Sequence, residues 1–188
     1  MSASGLDDFR SYFSQFIGLI VGGTAATALV LVTALIDLAP PWPPAVVQVT
    51  GVVQLVALIF VFQVMKTAGK ARINRTMLRS VALLAVFLTA YLAAHSLLVF
   101  QMPDGSLGLR GLWCTANAYA VYEGSCPLLT RDEIADAEFT AGRLWTPLGL
   151  TAARMTMLLC WIGVFANLVF LIGSFAVYQR RVAARPAI

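Results

Sequence analysis

Four stretches without a formal charge decide most of what this chain can become. Residues 11–36, between Arg10 and Asp37, give 26 such positions; residues 80–103, between Arg79 and Asp104, give 24; residues 155–179, between Arg154 and Arg180, give 25. A further apolar block opens with Leu38-Ala39-Pro40-Pro41-Trp42-Pro43-Pro44, where prolines remove donors and clash with a preceding turn, leaving Ala45–Met65, 21 residues, as its helical part. About 20 apolar residues in helical form cross a hydrocarbon core of about 30 Å. A soluble helix must show a polar stripe to water, and these runs have none to show. The chain, 60% hydrophobic and 12% charged, therefore reads as an all-α integral membrane protein. The expected architecture is one four-transmembrane-helix bundle with spans at about 13–37, 45–65, 80–101 and 148–178, and a long connection at 102–147. Met1–Arg10 carries Asp7 and Asp8 where a signal peptide would have a basic segment, so none is expected.

Charge sets the orientation. The connection from Lys66 to Arg79 holds Lys66, Lys70, Arg72, Arg75 and Arg79 without an acid, and the C-terminal tail adds Arg180, Arg181 and Arg185. The stretch from Met102 to Ala153 holds Asp104, Glu123, Asp132, Glu133, Asp136 and Glu138 against three arginines. Basic connections stay on the cytoplasmic side. Both termini are then cytoplasmic, and the Pro-rich turn and the long connection are extracytoplasmic, in a plasma (inner) membrane. The net charge of +4 follows from this topology. The segment "KTAGKARINR" suits anionic lipid headgroups; it is too short and too close to the bilayer for nucleic acid.

This orientation gives two of the three cysteines an oxidising compartment. Cys114 and Cys126, twelve positions apart, read as a structural disulfide, worth about 3 kcal/mol in the chain-entropy model. Cys160, inside the fourth span, reads as a buried thiol. Thr130-Arg131-Asp132-Glu133 fits a capping box, so a helix is expected from there to about Arg143, with Ile134, Ala135, Ala137, Ala141 and Leu144 as its apolar stripe. Trp145-Thr146-Pro147 should then turn the chain into the last span. Trp42, Trp113, Trp145, Tyr119 and Tyr122 all fall on the outer side, where aromatic residues anchor at the headgroups or, alternatively, line a ligand site.

Within the spans, Gly18, Gly22 and Ala26 place small residues four apart, a pattern that lets helices pack closely inside one chain or between copies. Gln54, His95 and Asn167 are the candidate intramembrane polar contacts, His95 hydrogen-bonding across helices to Asn167 or Gln54. No acid, lysine or arginine lies deep in a span, which argues against ion-coupled transport but leaves a passive conduit open. The single histidine excludes a haem held by two histidines within one chain, and the sequence contains no zinc-ligand set, hydrolytic triad or phosphate-binding glycine loop. Four-helix thiol oxidases of the vitamin K epoxide reductase type share the span number, but they need a CxxC pair that this chain lacks. No catalytic residue, metal or cofactor is expected.

Gly111-Leu112-Trp113, with Cys114 and Cys126 behind it and Ala152-Ala153-Arg154 at the mouth of the next span, resembles the outer-loop signature of the claudin and peripheral myelin protein tetraspan superfamily. The resemblance implies four spans, cytoplasmic termini, Cys114–Cys126 as the signature disulfide and Trp113 packing the loop on the bilayer surface. In that family the loop joins the first two spans, whereas here it joins the third and fourth. The function expected from all of this is that of a non-enzymatic accessory, assembly or interaction subunit, meeting the lipid bilayer and other membrane protein subunits or copies of itself. An oligomeric channel is the alternative, and a redox or cofactor-bearing enzyme subunit the second alternative.

Overall fold

The computed structural model describes residues 28, 30–65 and 67–183. Its long helices are α1 (Val46–Met65), α2 (Lys70–Leu98) and α6 (Pro147–Ala183). Between α2 and α6 come the strands β1 (Val99–Gln101) and β2 (Leu107–Leu109) and the short helices α3 (Ala116–Val121), α4 (Arg131–Asp136) and α5 (Ala141–Leu144). Three helices among the described residues are long and apolar enough to cross a membrane: α1, α2, and α6 as far as Gln179. The protein is thus a multi-pass, largely helical membrane protein. Outward-facing Val52, Leu55, Val56 and Phe60 on α1, and Leu78, Val86 and Leu92 on α2, are the surface expected of helices solvated by lipid.

Of the expected first span only the end is described. Residues 30–35 are helical, Asp37 takes a left-handed conformation (φ 53°), and the Leu38 N–H donates to the Thr33 carbonyl at 3.0 Å. That is the closure of a Schellman helix terminus. Gly18, Gly22 and Ala26 lie outside the described residues.

Two expectations are corrected. The basic stretch is not a connection, because α2 begins at Lys70 and Arg72, Arg75 and Arg79 ride on its first turns. Ala71, Ile73, Met77 and Leu78 suit a helix, and Ile73 anchors it by packing into a core with Val61, Met65, Ala68 and Val177. At its other end α2 stops at Leu98, not at residue 101, because Val99–Gln101 pairs antiparallel with Leu107–Leu109 in a small hairpin.

The chain divides into two compact units. Among the described residues, one draws on 30–39, 47–85 and 162–183. In it, Gly173 of α6 admits α1 closely: a methyl group there would lie 2.8 Å from Val61 Cγ1. Phe60 and Phe170 meet edge to face at 6.2 Å between ring centroids. Thr50, Gln54, Ser80 and Ser174 are buried in this unit. The other unit, residues 40–46 and 86–161, contains the hairpin, the short helices and the disulfide.

Candidate functional site

The residues between α2 and α6 form a small folded cap with its own core of Phe100, Ala118, Leu129, Ile134, Leu144 and Trp145. Cys114 and Cys126 are joined in a disulfide at its edge.

The cap is fastened to the end of α2 through Arg110. Its N–H donates to the Leu98 carbonyl at 2.7 Å and its Nη1 to the Leu97 carbonyl at 2.8 Å. These carbonyls are orphaned at a helix C-terminus, where the dipole also favours a cation. The guanidinium lies 5.9 Å from the Phe100 ring centroid, and burial there pulls its pKa below the ordinary arginine value. The hairpin turns over Asp104 and Gly105, the latter at φ 83°. Asp104 Oδ1 accepts from the Ser106 hydroxyl at 2.7 Å and the Ser106 N–H at 3.0 Å, which holds its pKa below the usual carboxylate value.

The Gly-Leu-Trp segment lies against the start of α6. Thr146 caps that helix, accepting from the Gly149 N–H at 3.1 Å, with Pro147 at the first helical position, as its missing donor permits. Leu112 N–H donates to the Gly149 carbonyl at 3.2 Å, and Thr146 N–H to the Trp113 carbonyl at 3.0 Å. A methyl group at Gly149 would stand 2.8 Å from the Trp113 nitrogen, and one at Gly111 would stand 2.5 Å from Trp145 Cβ. Both glycines are therefore required by contact distance. Thr115 caps α3 through the Ala118 N–H at 3.2 Å and donates its own hydroxyl to the Arg143 carbonyl at 2.8 Å, tying α3 to α5.

The expected capping box is present. Glu133 N–H donates to Thr130 Oγ1 at 3.4 Å, and Thr130 N–H to Glu133 Oε2 at 2.7 Å. The helix it starts does not reach Arg143. Glu138 and Phe139 are left-handed (φ 55° and 54°), Phe139 N–H donates to the Ile134 carbonyl at 3.0 Å, and Phe139 packs with Ile134 on the cap core. That contact closes α4, and a separate turn, α5, follows. Ala135, expected in the apolar stripe, is exposed.

The aromatic residues divide. Trp145 is fully buried and its indole N–H donates to the Pro127 carbonyl at 3.0 Å, so it is the cap's central core residue rather than an interfacial anchor. Trp113 and Tyr119 are each 52% exposed, and Val121 and Leu128 are exposed with them.

The candidate intramembrane residues are placed as follows. His95 stacks obliquely on Tyr91, ring centroids 5.8 Å apart, and Tyr91 meets Trp161 at 5.3 Å. Asn167 donates to the Gly163 carbonyl of its own helix at 2.8 Å. Gln54 is buried in the other unit than His95. Among the described residues no three His, Cys, Asp or Glu side chains are grouped as a metal site. Cys160 is a partly buried free thiol on α6.

The chain matches no protein-family model, no curated protein and no solved structure.

Proposed function

We propose that the protein is a non-enzymatic subunit of a membrane assembly whose cap presents a shaped surface to a protein partner outside the cytoplasm. The observation that carries this reading is a cap closed by a disulfide around its own core, with Trp113, Tyr119 and Val121 turned outward instead of inward. Exposed aromatic residues on a preorganised surface are what association uses, because little side-chain freedom is lost on docking. Both termini are cytoplasmic in this reading. Exposed Lys70, Arg72, Arg75 and Arg79 then face anionic headgroups of the inner leaflet. The likeness to the claudin loop is a convergent one, in which a glycine and a tryptophan seat a stapled loop on a helix mouth.

The test is isolation from native membranes in mild detergent. Stoichiometric partners should co-purify, and the Trp113→Ala, Tyr119→Ala double variant should lose them while staying folded. A lone protomer from wild-type membranes contradicts the reading. Ion or solute flux in liposomes holding the purified protein alone would instead favour an oligomeric conduit, for which the buried polar residues Thr50, Gln54, Ser80 and Ser174 are the supporting feature.

A further inference from the structure

Arg154 lies seven residues past Pro147, about 10 Å along α6 at 1.5 Å per residue. Its guanidinium carbon stands 5.6 Å from the centroid of the Trp42 ring. Trp42 belongs to the Pro-rich segment that leads into α1 and shares a compact unit with this part of α6. Among the described residues no acid pairs with Arg154 and no hydrogen bond reaches its side chain; the one ion pair joins Arg143 to Glu138. Its Nε is buried without a partner. The Nη edge is what remains open to a ligand.

The surroundings say which ligand. Just inward of Arg154 on the same helix, Met155 and Leu159 are exposed within the segment long enough to cross a membrane. The guanidinium therefore sits at the border of acyl chains and headgroups, where an arginine is costly unless its head reaches phosphate. An indole beneath one face orients the planar fork, and the fork matches two oxygens of a phosphate. A free phosphate ion would have to leave its hydration shell at an apolar rim. A phospholipid brings its phosphate to that depth together with chains that run inward past Met155 and Leu159.

We propose that Arg154 and Trp42 form a binding site for the phosphodiester group of a membrane phospholipid, in the leaflet on the cap side of the bilayer. The site does not depend on the partner-binding role of the cap.

The experiment is native mass spectrometry of the delipidated full chain in mild detergent, titrated with phosphatidylglycerol or with diacylglycerol of the same chains. Arg154→Gln should weaken phosphatidylglycerol binding about tenfold, the size expected for losing a charge-assisted hydrogen bond. Trp42→Leu, which keeps the charge and removes the plate, should weaken it a few-fold. Arg143→Gln, an exposed residue, should bind as the wild type does, and diacylglycerol should not distinguish the variants. Undiminished binding by Arg154→Gln overturns the proposal, as does an equal loss for diacylglycerol. Displacement of the lipid by millimolar inorganic phosphate also overturns it, by assigning the fork to a free anion. Should Arg154→Gln fail to fold, wild-type affinity in Trp42→Leu overturns it alone.

Discussion

Gly111 and Trp145 share a contact that no larger residue at position 111 permits. A methyl group there meets Trp145 Cβ at 2.5 Å and Cγ at 2.8 Å. Neither side can give way freely, because Cys114 and Trp145 are bridged through their backbones and the indole is held by Pro127. Gly111→Ala should therefore destabilise the cap by about 1–3 kcal/mol, the usual cost of overpacking. At Gly142, in α5, a methyl group would have nothing within 4 Å. Gly142→Ala should be neutral or up to about 1 kcal/mol stabilising. Tryptophan near-ultraviolet dichroism on heating reads both, and equal melting shifts in the two variants would refute the contact argument. The glycine, the tryptophan and the cysteines were legible in the sequence as a motif. The burial of Trp145 was not, since an indole suits a headgroup zone and a core equally. What decides is a carbonyl eighteen residues upstream, which no local pattern reveals.

At the scale of elements, beginnings were easier to read than ends. Thr130 and Glu133 announce α4 because the capping box is local chemistry, whereas its end depends on Phe139 finding Ile134 in a core formed by distant segments. The hairpin had a signal in Pro103-Asp104-Gly105, a turn sequence, overridden by the apolar run before it. Both turns carry a titratable brace. Hydrogen bonds from the Ser125 hydroxyl, then from Thr130, hold the Glu133 pKa below its ordinary value, and Ser106 does the same for Asp104. A carboxyl whose folded pKa is depressed contributes stability that is complete above its unfolded pKa, about 4. That contribution is lost as pH falls through the lower, folded value. Cap melting temperature should therefore hold steady from neutral pH to about 5 and decline below. Glu133→Gln with Asp104→Asn should flatten that decline, because glutamine still closes a capping box without titrating. An unchanged acid slope in the double variant would show that neither brace matters.

For the whole molecule, three membrane-length helices fall where charge-free runs placed them, to within a few residues except at the start of α2. Hydrophobic length is set by the bilayer and needs no partner to be read. Which small residue brings helices together is different. Gly173 makes the described close approach to Val61, and its Gly-Ser pair carries no repeat that would single it out. Sidedness rests on charge. Exposed Lys70, Arg72, Arg75 and Arg79 start α2, and the acidic cap follows its other end. A helix of 29 residues is about 43 Å long, enough to carry one end past each face of the hydrocarbon core. Two engineered thiols in a Cys160→Ser background report the outcome. With the disulfide intact, Ser106→Cys at the exposed hairpin turn should react with a membrane-impermeant maleimide on intact cells. Ala71→Cys, exposed beside the basic residues, should react only after permeabilisation. The opposite pattern would invert the protein. It would place Cys114 and Cys126 in a reducing compartment, where a disulfide this close to the cap surface would not persist, and the cap would lose the staple on which its proposed partner surface depends.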